Sequence, residues 1–264
     1  MSLSEQVAAN LPYLRRYARA LTGSQATGDN FVRATLEAVL ADPELKAALA
    51  SGRTALYRAF NKIWSSAYTD TAMPGESSGM HELAAQERLA SVTPLSRQAL
   101  LLSTLEDFST PQVAEIMDIS AEKVEALVRE AVSEIDRAAS TSVLIIEDEP
   151  LISMQLEDLV RGLGHEICGT AATRTQAQQV VAERMPGLVL ADIQLADGSS
   201  GLDAVDDILA LTEVPVIFIT AYPERLLTGD RPEPTYLVTK PFREATVRAA
   251  IGQALFFGSS QPLS

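Results

Sequence analysis

The run Val143-Leu144-Ile145-Ile146-Glu147-Asp148-Glu149-Pro150 constrains the fold more than any other stretch of the chain. Four aliphatic residues without polar alternation read as a strand covered on both faces, as in a parallel sheet. The strand stops abruptly at adjacent carboxylates. In open α/β sheets ligands gather outside the carboxyl ends of the strands, which would direct Glu147 and Asp148 into a crevice. The other reading is that these acids only open the next helix, favoured there by its N-terminal dipole.

The residues downstream separate the two readings. Strands are expected near 143–147, 166–170, 187–192, 214–219 and 235–239, with helices near 150–162, 174–185, 201–211 and 243–256. The segment 223–231, with Pro223 and Gly229, is short and is expected to hold a reduced helix. Five strands joined by crossover helices make a doubly wound α/β sheet of flavodoxin-like order. Three further polar residues then close strands on the edge that carries Glu147 and Asp148. Asp192 ends Gly187–Asp192, Thr220 ends Val216–Thr220, and Lys240 ends Tyr236–Lys240 ahead of Pro241-Phe242.

That set has a chemistry of its own. An Asp carboxylate is a known nucleophile toward phosphoryl groups, which makes Asp192 a candidate phosphoacceptor. Nucleophile and donor are both anionic, so a hard cation such as Mg2+ is needed between them. Asp148 and Asp192 are its expected ligands, with Glu147 beside them directly or through water. Lys240 supplies a point positive charge to phosphoryl oxygens, and Thr220 a hydroxyl donor. This constellation resembles the receiver domain of two-component response regulators over residues 142–256. The resemblance implies that the backbone carbonyl of Gln194 completes the metal site and that a sensor histidine kinase is the donor.

The chain departs from the common receiver pattern in one place. The position three residues before the lysine, often Tyr or Phe, is Leu237. Tyr236 is one step off, and alternation sends it to the other face. Instead Phe218-Ile219-Thr220-Ala221-Tyr222 puts an aromatic two residues after the hydroxyl, resembling the receiver subgroup in which that Tyr takes part in switching. Tyr222 is therefore the expected switch residue, simple packing being the other reading.

Residues 1–140 have helical periodicity instead. Leu11, Leu14, Ala18 and Leu21 share a face, with Gly23 as C-cap. A second helix is expected over 29–40, with Phe31, Ala34, Thr35, Ala38 and Val39 as its stripe. A third, over 51–67, carries Leu56, Phe60, Ile63 and Trp64. Residues 69–81 have loop chemistry, and His81 among them has no ligand-forming neighbours. Thr93 and Pro94 open a further helix as N-cap and first position. A short helix over 109–117, the turn Asp118-Ile119-Ser120 and a helix from about 121 complete a helix-turn-helix. Leu95–Leu102 with Pro111–Met117 resembles region 4 of extracytoplasmic-function sigma factors, and the first lobe would then correspond to region 2. The expected domains are 1–68, a 69–92 linker, 93–140 and 141–264.

Charge argues against DNA as the target of that motif. The would-be recognition helix carries Lys123, Arg129 and Arg137 against Glu122, Glu125, Glu130, Glu134 and Asp136. Phosphate contacts require clustered cations, and the whole chain has a net charge of −14. The single Cys168 makes no intrachain disulfide and reads as a small buried hydrophobe. No apolar run approaches the roughly 20 residues that span a bilayer, and the start lacks the pattern of a secretory signal. A cytoplasmic setting is expected.

An acidic sigma-like half followed by a receiver resembles the PhyR family of response regulators of the alphaproteobacterial general stress response. That resemblance implies an anti-anti-sigma mechanism. Phosphorylation of Asp192 releases the sigma-like half, which captures an anti-sigma factor (NepR in that family) and frees a sigma factor. No direct DNA binding, no membrane association and no enzymatic output are expected. The rivals are a regulator whose helix-turn-helix binds DNA directly and a receiver-linked RNA-binding antiterminator, which carries its receiver first.

Overall fold

The computed structural model describes residues 3–69, 94–136, 140–195, 198–223, 226 and 234–257. The chain divides into two compact units, Met1–Arg129 and Glu130–Ser264. The first holds α1 (Leu3–Thr22), α2 (Gln25–Ala41), α3 (Pro43–Ala48), a 3-10 turn (Leu49–Ser51), α4 (Arg53–Thr69), α5 (Leu95–Thr104), α6 (Thr110–Met117) and most of α7 (Ala121–Ile135). No helix among the described residues is long and apolar enough to cross a membrane.

In the first unit α1 ends as expected at Gly23, whose positive φ of 66° lets its N–H reach the Arg19 carbonyl at 2.8 Å. The helix α2 begins earlier than the sequence spacing indicated, because Ser24 caps it by accepting from the Thr27 N–H. Its buried stripe also differs. Gly28, Val32, Thr35 and Val39 are buried, whereas Ala34 is exposed and Phe31 half-buried. Gly28 sets that rotation: a Cβ there would come within 2.8 Å of the α1 main chain at Ala18 and Arg19, so only glycine permits the close crossing. Leu14, Leu21, Leu56, Phe60 and Trp64 are buried as their spacing implied.

The helix-turn-helix forms as read. Pro94 is the N-cap of α5 rather than its first residue; the expected Thr93 cap, most of the 69–92 linker and His81 lie outside the described residues. At the start of α6, Gln112 Oε1 accepts from both the backbone N–H and the hydroxyl of Ser109 at 2.9 Å. Asp118, in a left-handed conformation, turns the chain into α7.

The second unit contains β1 (Ser142–Ile146), α8 (Pro150–Gly162), β2 (Glu166–Ala171), α9 (Arg174–Glu183), β3 (Leu188–Ala191), α10 (Gly201–Leu209), β4 (Val216–Thr220), β5 (Tyr236–Thr239) and α11 (Glu244–Phe257). The strands form one five-stranded sheet in the order β2-β1-β3-β4-β5, every pairing parallel. The observed strands differ from the expected ones by one or two residues at their ends. Every residue of β3 and β4 is buried, which explains their unbroken apolar sequence. Leu144, Ile146, Val189, Ala191 and Phe218 pack with Ala177, Val181, Val205 and Ile208 of α9 and α10. Cys168 is half-buried against this cluster rather than fully enclosed. Tyr236 turns away from it, as alternation required, and donates its hydroxyl to the Gln253 carbonyl of α11 at 3.4 Å. The short helix expected within 223–231 falls largely outside the described residues.

Candidate functional site

The parallel register brings the polar strand ends together. Ladder hydrogen bonds continue one residue past the strands: Glu147 N–H to Ala171, Asp192 N–H to Ile146 and Lys240 N–H to Thr220, each at 2.8 Å. Gly201, the first residue of α10, lets that helix start directly beneath this edge. Its N–H donates to the Ile193 carbonyl at 3.0 Å, and a Cβ there would collide with the Asp192 carbonyl.

Lys240 is the electrostatic centre of the group. Its Nζ lies 2.7 Å from Asp192 Oδ2 and donates to Glu147 Oε1 at 3.0 Å. Glu147 Oε2 is also 2.7 Å away, but outside hydrogen-bond geometry, so it is a buried carboxylate oxygen with a charge contact and no hydrogen bond. Burial pushes the Glu147 carboxyl above its ordinary range, against the attraction of Lys240. Burial alone would lower Lys240, but its hydrogen bonds to Asp192 and Glu147 win and raise it. Asp192 Oδ1 accepts from the N–H groups of Ile193 at 2.6 Å and Gln194 at 3.4 Å, which fixes the carboxylate and leaves Oδ2 toward the ammonium.

Glu147, Asp148 and Asp192 each place a carboxylate oxygen within 4.8 Å of the others. Three carboxylates against one ammonium leave two net negative charges. With an oxygen-only donor set and an orphaned buried oxygen, that arrangement fits a hard divalent cation. Thr220 is fully buried and its Oγ1 accepts from the Tyr222 N–H at 3.2 Å, which leaves its O–H as a donor. The Tyr222 ring is at the surface, 44 % exposed. Gln194 is exposed and bridges to Ser200. Sequence reasoning thus named the residues that converge here but gave no role to Glu149. That side chain makes no cap bond to α8 and instead approaches Lys240 at 3.6 Å; the third acid in the run was its signal.

The family model for the Sigma2 domain of PhyR matches residues 7–61, that for the sigma-like domain of response regulator PhyR matches 89–138, and that for the response regulator receiver domain matches 143–252. The phyllosphere-induced regulator PhyR of Methylorubrum extorquens is 55% identical over 262 residues, 98% of this chain and 97% of the relative. The chain belongs to the PhyR family. Solved PhyR structures agree with the fold. The response regulator PhyR from Brucella abortus is 47% identical, with a TM-score of 0.84 over 97% of this chain and 95% of that one. The anti-anti-sigma factor PhyR from Bartonella quintana is 47% identical, with a TM-score of 0.81 over 97% and 96%. The PhyR resemblance carried by the sequence, a helical sigma-like half followed by an α/β receiver, is borne out.

Proposed function

We propose that the chain is a phosphorylation-controlled anti-anti-sigma factor with Asp192 as its phosphoacceptor. The observation that carries this reading is the 2.7 Å pair between Asp192 Oδ2 and Lys240 Nζ beside two further acids. The Bartonella relative is itself an anti-anti-sigma factor, which supports the same output here. In the proposed step, Asp192 attacks the phosphorus of a phosphohistidine on a sensor kinase. The O–P bond forms, the N–P bond breaks, and the departing imidazole nitrogen takes up a proton. Lys240 transfers its hydrogen bond from the carboxylate to a phosphoryl oxygen, and Thr220 donates its O–H to another.

Glu147, Asp148, Asp192 and the Gln194 carbonyl would hold Mg2+, which supplies the positive charge that lets two anions approach. The phosphoryl group adds about −1.5 to −2 charges at neutral pH. As Thr220 is drawn toward it, the strand-four end moves and Tyr222 changes position. The sigma-like domains (1–68 and 93–140, joined by 69–92) are then released from control by the receiver (141–264). They capture an anti-sigma factor of the NepR type in the cytoplasm and free its sigma factor. The output is binding, not catalysis.

The test is calorimetric affinity for the cognate anti-sigma factor, with and without beryllofluoride plus Mg2+, in wild type and Asp192→Ala. Binding strengthened by beryllofluoride in wild type alone is expected. Equal affinity in all four conditions would remove the receiver as the control element.

A further inference from the structure

Glu106 lies in the turn after α5, in the second helical lobe of the first unit, and its side chain is fully buried. Its donors come from the first lobe. Arg16 of α1 donates to Oε1 through Nε at 3.0 Å and through Nη2 at 2.8 Å. Arg53 of α4 ion-pairs with Oε2, and Tyr57 donates its hydroxyl to that oxygen at 2.7 Å. The same arginines reach the main chain. Arg16 Nη2 donates to the Leu105 carbonyl at 2.9 Å, and Arg53 Nη1 to the Glu106 carbonyl at 2.8 Å. These carbonyls stand just past the C-terminal end of α5, where the last carbonyls lack intrahelical partners and the helix dipole is negative. The end of α5 is therefore completed by cations from another lobe.

The turn is shaped to present that carboxylate. Leu105 and Glu106 N–H both donate to the Leu101 carbonyl, at 2.9 and 3.2 Å, and Phe108 N–H donates to Leu102 at 3.1 Å. Phe108 then packs edge-on against Tyr57, with ring centroids 4.8 Å apart, beneath the Arg53 guanidinium at 4.4 Å.

A buried ion cluster adds little net stability over apolar packing; its best-attested use is to fix one register between packed elements. We propose that Glu106 is a positioning residue that pins the two helical lobes in a single arrangement, so that the anti-sigma factor meets a preassembled two-lobe surface. The second clause rests on the anti-anti-sigma reading. Lobes already fixed need not be ordered at capture, and that saved ordering appears as affinity.

The experiment uses the full chain in a Cys168→Ala background, with spin labels at the exposed positions Leu40 in α2 and Glu125 in α7. Wild type without partner is expected to give one narrow distance distribution. Glu106→Gln is expected to at least double its width and to lower anti-sigma affinity in beryllofluoride about tenfold or more, with helical content unchanged. Should Glu106→Gln not fold, Arg53→Gln, whose side chain is one-third exposed, replaces it with the same expected changes. An unchanged width in the folded variants overturns the pin. A broadened distribution with unchanged affinity overturns the preassembly. A wild type that binds no anti-sigma factor refutes the functional reading alone, because the distances still judge the pin.

Discussion

Lys240 holds together a site that repels itself. Its side chain is 8% exposed and faces buried Glu147 and Asp192. Lys240→Met leaves those carboxylates without their ammonium, and breaking a buried pair costs about 3–5 kcal/mol. Urea unfolding is expected to show that loss, with more of it recovered by added Mg2+ in the variant than in wild type. A variant unaffected by the ion would deny the cation its place among these acids. Thr220→Ala makes a different prediction. It should still form the acyl phosphate, read by gel retardation of phosphoprotein, yet lose most of the affinity gain for the anti-sigma factor. The converging residues were legible because a parallel sheet collects strand ends on one edge, whatever the loops do. Glu106 was not legible. It is the first of two adjacent acids, Glu106-Asp107, just after a leucine-rich run, and its partners Arg16 and Arg53 lie 90 and 53 positions away, a pairing that no spacing rule encodes.

The crossing of α1 and α2 shows what periodicity can and cannot state about an element. It placed both helices, but the α2 stripe turned on the close approach at Gly28, which depends on a second helix. Gly28→Val should therefore destabilise the protein by about 1–3 kcal/mol through forced backbone separation. Ala34→Val, on the exposed side, should cost no more than its helix propensity, about 0.5 kcal/mol. Equal losses in thermal melts would favour the stripe read from sequence. The same crossing carries a pH signature. Burial works against the Asp29 carboxylate, but hydrogen bonds from Arg15 and Arg19 and their charges outweigh it and hold the carboxyl below its ordinary range. A depressed folded value means that Asp29 stabilises the fold above the unfolded pKa of about 3.9 and loses that contribution as pH falls through the folded value. Unfolding free energies measured between pH 6 and pH 3 should fall in wild type and fall less steeply in Asp29→Asn.

The fold of the helix-turn-helix and the charge of the whole molecule point to different partners, and charge decides between them. The α7 helix has the position of a recognition helix, behind α6 and the Asp118 turn. Its exposed residues include Glu122, Lys123, Glu125, Arg129 and Glu130, and Arg129 is held 3.8 Å from Glu125. A helix in the major groove has phosphates on both sides, and each contact needs a cation able to displace a counterion. Three acids on that face, in a molecule of net charge −14, make the approach repulsive over a Debye length of about 10 Å at 0.1 M salt. Lowering the salt strengthens this repulsion, whereas for a DNA-binding protein it would strengthen binding. Mobility-shift titrations at about 50 mM salt, the low end of the range in which phosphate contacts are read, are expected to show no complex, with or without beryllofluoride. Glu122→Lys with Glu125→Lys should begin to retard DNA nonspecifically, because the shape is already present and only the sign of the charge is wrong. A phosphorylation-dependent shift by the unaltered protein would instead make the helix-turn-helix a DNA reader and remove the reason for a second partner.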